Sequence, residues 1–270
     1  MTQKEISETI RGHLDVIRGL SHRIVNEFDT DDIHDFRVEV KKMRAFLRLL
    51  IADDSGKFIM PKPMKTYYRY AGAIRNLQLH KHTISAYFDN NEIERPLEYC
   101  GRLDTEEQNW RKKIKTFHEG NNMDDSEKKI TNQLGDKPEM HPSKKFISNN
   151  LDALNKQLHN ISGDEAVHNI RKILKDIFYT WDYTKEDSNL PEAIAKKEEL
   201  KKITKWLGDF MDKSIQIELL SDEYIDPLKS ESEKMVLNGW KEQVMNKKLA
   251  LKKKLTPYFN ELTEQLWVEH

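Results

Sequence analysis

The stretch Ile33–Leu50, IHDFRVEVKKMRAFLRLL, combines a strong helical pattern with a concentration of positive charge. On an α-helix, residues three and four positions apart lie on the same face. Five basic residues of the stretch follow one another at such steps, and we call them the basic stripe: His34, Arg37, Lys41, Arg44 and Arg48. The pattern predicts a helix that presents all five side chains to one ligand.

Apolar residues border the basic stripe, and no carboxylate belongs to it. Phe36, Val40 and Leu47 lie on one side, and Ala45 and Leu49 lie on the other. Interleaved acids would be expected if the cations served only solubility or helix pairing. Because cations beside a core are costly unless an anion meets them, the pattern indicates an anionic ligand. The alternative is a plain amphipathic helix whose long basic side chains extend into water.

The composition predicts an all-α fold. Of 270 residues, 37% are hydrophobic and 34% are charged, with few Gly and Pro. The net charge of −1 argues against a nucleic-acid-binding or membrane-surface protein, which would be basic overall. The N-terminus has no apolar signal region, no apolar run reaches transmembrane length, and Cys100 is the single cysteine. These features predict a cytoplasmic setting.

A second acid-free stretch lies in the next predicted helix, Lys62–Phe88. Between residues 57 and 82 there are six Lys or Arg and no Asp or Glu. Lys65, Arg69, Gly72 and Arg75 share one helix face. Because Gly72 costs the helix about 1 kcal/mol relative to alanine, it indicates a close approach of another backbone or a ligand, or else a tolerated defect.

The second half of the chain repeats this pattern. VHNIRKILKDIF at Val167–Phe178 aligns with IHDFRVEVKKMR at Ile33–Arg44, and Gly208 aligns with Gly72. The basic residues retained in the second copy are His168, Arg171, Lys175, Lys201 and Lys205. The residues that replace cations are Phe178 for Arg44, Asp182 for Arg48 and Met211 for Arg75. The second copy therefore carries fewer cations.

The repeat predicts two helical bundles of about four helices each, related by duplication. Residues 1–118 would form the first bundle, residues 119–143 a polar connection with room for one short helix, and residues 144–270 the second bundle. We also expect Pro191 to open a helix and Pro257 to bend or break the last one.

The residue types of the basic stripe suit phosphate. Arginine binds phosphate through two parallel hydrogen bonds, lysine adds a mobile charge, and histidine changes charge near neutral pH. The stripe is roughly 20 Å long at 1.5 Å per residue, which is longer than one phosphate needs. An extended polyanion is therefore the predicted ligand.

The sequence resembles the conserved-histidine α-helical domain, or CHAD, family. The resemblance rests on His34-x-x-Arg37 with Lys41, Lys42 and Arg44, and on Ala71-Gly72-Ala73-Ile74-Arg75-Asn76 in the next helix; His168, Arg171, Lys175 and Leu207–Gly208 repeat it more weakly. It implies two helical bundles related by a pseudo-twofold axis, a central basic groove lined by both repeats, and non-catalytic binding of inorganic polyphosphate, often at polyphosphate granules. The predicted binding residues are His34, Arg37, Lys41, Lys42, Arg44, Arg48, Lys65, Arg69, Arg75, His168, Arg171, Lys175, Lys201 and Lys205.

Two other functions fit parts of the pattern. His34-Asp35 resembles the His-Asp pair of a metal-dependent phosphohydrolase, with His13 or His22 as further ligands. The second copy has Asn169 in place of Asp35 but keeps the arginine, so we predict no metal, no cofactor and no catalysis. A helical scaffold that docks acidic protein partners is the other alternative. The cluster His80-Lys81-His82 is expected to extend the positive field rather than to bind metal.

Overall fold

A computed structural model of the chain describes residues 1–52, 58–120, 124–134, 144–161, 163–184 and 190–268. Within these ranges the chain forms ten α-helices and no β-strand, which confirms the predicted all-α fold. The helices are α1 (Gln3–Glu27), α2 (Thr30–Ile51), α3 (Lys62–Asn90), α4 (Leu97–Gly120), α5 (Asp124–Leu134), α6 (Lys144–His159), α7 (Asp164–Thr184), α8 (Lys197–Leu219), α9 (Asp222–Ile225) and α10 (Glu231–Val268). None of the described helices is long and apolar enough to cross a membrane.

The junction between α1 and α2 sets the start of the helix that carries the basic stripe. α1 ends at Glu27 and is capped by Phe28, whose backbone takes the left-handed conformation with φ of 54°. The carboxylate of Asp29 then accepts hydrogen bonds from the backbone N–H groups of Asp31 and Asp32, at 2.8 and 3.0 Å. This side-chain cap satisfies two N–H groups that have no partner inside α2.

The structure decides two expectations that involve proline. Pro191 precedes only a single 3₁₀ turn, Glu192–Ile194, and α8 begins later, at Lys197. α10 continues through Pro257 without a break. Pro257 is exposed, so water can bind the carbonyl group that loses its helical hydrogen bond to the proline.

The chain forms two compact units that are discontinuous in sequence. The first comprises Met1–Arg44, Lys57–His141 and Ser221–Leu237, and the second comprises Ala45–Gly56, Pro142–Leu220 and Asn238–His270. The predicted repeats were contiguous segments, whereas the end of α2 belongs to the second unit and the start of α10 belongs to the first. Part of the predicted connection at residues 119–143 is helical, in α5, and its residues 121–123 and 135–143 lie outside the described residues.

The core of the first unit brings α1, α2 and α3 together. The rings of Phe36 and Tyr67 lie 5.0 Å apart between centroids, and both side chains are buried. The hydroxyl group of Tyr67 donates to the carbonyl oxygen of Ser21 at 2.8 Å, so this buried polar group is satisfied. α3 also packs along α4. These contacts hold α2 beside α3, so the basic residues of the two helices lie next to each other.

The second unit has a core of its own, built by the apolar faces of α6, α7 and α8 and the end of α10. Ile170 and Leu174 of α7 pack there with Leu207 of α8, and each is fully buried. α7 lies between α6 and α8, with contacts to both. His168, Arg171 and Lys175 of α7 are half-buried beside this apolar face.

Candidate functional site

Arg37 of α2 packs directly onto Gly72 of α3. Its Nη1 donates to the carbonyl oxygen of Tyr68 at 2.9 Å, and its Cζ lies 4.3 Å from the centre of the Tyr68 ring. A Cβ atom added at Gly72 would lie 2.9 Å from Cζ of Arg37 and still nearer to Nη1. The close approach expected at Gly72 is therefore made by a side chain, and neither a backbone nor a ligand is needed to explain the glycine.

Arg75 joins the same surface from α3. It donates through Nη1 to the carbonyl oxygen of Thr30, in the first turn of α2. Three residues further along α3, Gln78 donates to the carbonyl oxygen of Phe28 at 2.8 Å. Arg37 and Arg75 are thus each held by a main-chain carbonyl of the neighbouring helix, which limits the number of conformations that each guanidinium can adopt.

The electrostatic environment of His34 shows that cations converge here. His34 is exposed, yet partial burial lowers the pKa of its imidazole, and the positive charges of Arg75 and Lys41 lower it further against the opposing effect of Asp35. We call His34, Arg37, Lys41 and Arg75 the α2–α3 cluster. Because its charges disfavour protonation of a histidine among them, the cluster has a positive local potential.

The second unit contains a related arrangement on α7 and α8. Nε and Nη2 of Arg171 would both lie 3.7 Å from a Cβ atom at Gly208, as Arg37 lies over Gly72 but less tightly. Burial and the positive charges of Arg171 and Lys201 lower the pKa of Lys175 to about 8. We call Arg171, Lys175 and Lys201 the α7–α8 cluster. Its central lysine is half-buried among cations.

Several cations on these helices have no ion-pair partner among the described residues. The side chains concerned are Arg44, Lys65, Arg69, Arg171, Lys175, Lys201 and Lys205. Lys65, Arg69, Lys201 and Lys205 are exposed. The Nε groups of Arg44 and Arg171 are buried and have no hydrogen-bond partner within the described part of the chain.

Some cations elsewhere in the chain are neutralised by nearby carboxylates. Arg23 pairs with Asp32 at 2.8 Å, and Arg95 pairs with Asp89 at 2.5 Å. In these two pairs a carboxylate neutralises the cation, whereas no described carboxylate forms an ion pair with the residues above.

Two predicted binding residues, Arg48 and Lys42, lie outside the two clusters. Arg48 belongs to the second unit and forms an ion pair of 2.5 Å with Asp176, a carboxylate that is 5% exposed. Lys42 is exposed and pairs with Glu39 at 3.2 Å; the two line a groove between α1 and α2, away from Gly72. A protein carboxylate already neutralises each cation, so neither belongs to the clusters. His168 is half-buried on α7, on the same face as Arg171.

Comparison with known proteins identifies the family of this chain. The CHAD domain family matches residues 8–221, which is most of the chain. The chain belongs to the CHAD family. The comparison with curated proteins finds no match.

The histidines and the acid considered for a metal centre have other positions in this CHAD domain. Asp35 lines the α1–α2 groove, and His13 makes a contact of 2.6 Å with Glu39. His22 lies 3.2 Å from His118. In the described part of the chain, no group of three or more His, Cys, Asp or Glu side chains is placed to hold a metal ion.

The segment His80-Lys81-His82 does not extend the positive field as expected. His80 is buried and hydrogen-bonds with the Tyr99 hydroxyl at 2.8 Å. Lys81 pairs with Asp104 and with the buried Glu107, each at 2.6 Å. The segment therefore stabilises the packing of α3 on α4.

Sequence reasoning missed three features of the site. Tyr68 holds Arg37 through its ring and its carbonyl, Asp176 neutralises Arg48, and the rings of Phe178 and Tyr179 cover Lys175 at 4.8 and 5.4 Å. One signal was present: Asp176 is a carboxylate between the buried residues Leu174 and Ile177, where an unpaired acid would be costly.

Proposed function

We propose that this CHAD domain binds inorganic polyphosphate without catalysing a reaction on it. CHAD domains are associated with polyphosphate binding, and the two clusters supply the cations for it. Each cluster would bind phosphates within its own unit, and the groove lined by both repeats stays a prediction. Binding in the cytoplasm, with attachment to polyphosphate granules, is part of the same proposal.

The observation that carries the proposal is the environment of Lys175. Its half-buried ammonium has two cationic neighbours, Arg171 and Lys201, and its pKa is lowered to about 8. Proteins avoid gathering cations in this way unless a ligand relieves the repulsion. A chain of phosphates does so, because each phosphate unit carries a negative charge and several oxygen acceptors.

The geometry of the arginines also supports this ligand. Arg37 and Arg75 are anchored to backbone carbonyls of helices, so little conformational entropy is lost when a phosphate binds. The repeated contact of an arginine with a glycine, Arg37 on Gly72 and Arg171 near Gly208, supports the proposal that the two clusters arose by duplication.

Charge reversal of exposed residues tests the first unit without disturbing its packing. Lys65→Glu combined with Arg69→Glu changes the charge by −4 on a surface that makes no ion pair among the described residues. Lys4→Glu combined with Lys112→Glu makes the same change at exposed positions on α1 and α4. We expect weaker retention of the first variant than of the second on a polyphosphate matrix, with equal helical circular dichroism. Retention should not be lost completely, because the α7–α8 cluster is unchanged. Equal retention of both variants would refute the proposed surface.

A change of polyanion distinguishes polyphosphate binding from the alternative function, a scaffold that docks acidic proteins. Polyphosphate and polyglutamate of equal charge are compared on the same protein. Polyphosphate should bind more tightly, because its closely spaced tetrahedral oxygens accept two hydrogen bonds from one arginine at successive positions. Tighter binding of polyglutamate would favour a scaffold for acidic proteins instead.

A further inference from the structure

Lys175 can act as a nucleophile in its neutral form as well as a cation in its charged form. Its amine is half-buried beneath the rings of Phe178 and Tyr179, with Nζ 4.8 and 5.4 Å from their centres. The ring faces attract an ammonium ion weakly, whereas burial and the charges of Arg171 and Lys201 oppose it. The balance lowers the pKa to about 8, so a large fraction of the amine is neutral near pH 8.

The divergence between the two copies explains this environment. Phe178 stands where the first copy has Arg44, so a ring covers Lys175 where the other copy presents a guanidinium. The groups that act on the amine come from α7 and α8: Arg171 on its own helix and Lys201 on the neighbouring one. No carboxylate among the described residues contributes to the shift. The second copy therefore has a phenylalanine in place of an arginine, and the surroundings of Lys175 favour the neutral amine, which is the nucleophilic form.

We propose that Lys175 is a site of selective acylation by small acyl phosphates. Arg171 and Lys201 provide charges for the phosphate group of the reagent, and the neutral amine of Lys175 attacks the carbonyl carbon. A bond forms between Nζ and that carbon, the bond from the carbon to the phosphate oxygen breaks, and inorganic phosphate leaves. The nitrogen loses a proton to water, and the product is an uncharged amide. The modification removes one positive charge from the α7–α8 cluster.

The arrangement favours an acyl phosphate over other acyl donors. In an acyl phosphate the charged leaving group is directly bonded to the reacting carbonyl, so cations next to the amine bind the phosphate and position the carbon together. In a coenzyme A thioester the phosphates lie far from the thioester carbon. A neutral reagent such as acetic anhydride has no charge for the cluster to bind.

The test uses the intact chain with acetyl phosphate at pH 8 and follows each acetylated lysine by mass spectrometry. Lys175 should react at least about tenfold faster than the exposed Lys112 and Lys205. A pKa of about 8 raises the neutral fraction of Lys175 above that of an ordinary lysine by more than that factor, and the lower basicity of the amine offsets only part of the gain. Inorganic phosphate should compete. Reaction of Lys175 no faster than Lys112 would overturn the proposal.

One variant separates the reactivity of the Lys175 amine from the binding of the reagent's phosphate group. Lys201→Gln changes an exposed side chain, so the fold should persist, and it should slow acetylation of Lys175 by acetyl phosphate more than by acetic anhydride. An equal effect on both reagents, or none on either, would show that the cluster does not bind the phosphate group. These rates are measured without polyphosphate, so their outcome is independent of the proposed polyphosphate binding.

Discussion

The affinity for polyphosphate should depend on pH through Lys175. Its pKa is lowered to about 8 in the free protein by burial, Arg171 and Lys201. A bound polyanion stabilises the ammonium form and raises this pKa, so binding takes up a proton whenever the free lysine is neutral. At pH 9 about nine-tenths of the free amine is neutral, and at pH 7 about one-tenth is. If the bound form stays protonated, affinity should rise roughly tenfold from pH 9 to pH 7.

The measurement is a titration of fluorescently labelled long-chain polyphosphate at pH 7, 8 and 9 and constant ionic strength. Long chains are needed because only their terminal phosphates titrate in this range. Lys175→Arg is the matched control, since arginine stays charged throughout and keeps the size and charge of the site. Its affinity should be nearly flat with pH. Equal pH dependence in the two proteins would refute the assignment of the titrating group to Lys175.

Four further substitutions test particular contacts. Gly72→Ala should destabilise the protein by about 1 kcal/mol, because displacing Arg37 from the Tyr68 carbonyl costs about 2 kcal/mol and the helix gains about 1. Gly208→Ala should instead stabilise it by up to about 1 kcal/mol, since its Cβ would lie at an ordinary 3.7 Å from Arg171, and urea unfolding of both variants measures the difference. Arg48→Ala should cost about 2 kcal/mol in the same assay because it leaves the buried carboxylate of Asp176 unpaired, and a cost near zero would contradict the ion pair. Polyphosphate affinity should fall as salt increases, and Lys201→Gln should reduce the slope of log K against log salt concentration by about one, whereas an unchanged slope would remove Lys201 from the contact.

Local patterns were sufficient to predict the helices. The apolar spacing of α1 and α2 predicted both helices to within a few residues because the same side chains form the core. Of the bend or break predicted at Pro257, the break does not occur: proline disfavours a helix locally, while the packing of Phe259 and Leu262 in the core of the second unit keeps α10 continuous.

The sequence predicted the residue types of the candidate site but not which residues contact one another. The Arg37–Gly72 contact was hidden because the two residues lie on different helices, although both positions had been singled out separately. The partner of Arg48 lies 128 residues away, and no local pattern could identify Asp176 as that partner. Lys42 shows a limit of charge counting: it lies within the same run of basic residues, yet the helical phase points it toward Glu39.

Protection of individual lysines by polyphosphate tests the central claim most directly. The intact protein is labelled with an amine-reactive reagent, with and without long-chain polyphosphate, and each lysine is quantified by mass spectrometry. Lys65, Lys201 and Lys205 should be protected, and the exposed Lys4 and Lys112 should label at the same rate in both samples. Equal labelling of all five lysines with and without polyphosphate, or protection of Lys4 and Lys112 alone, would contradict the proposed binding surfaces.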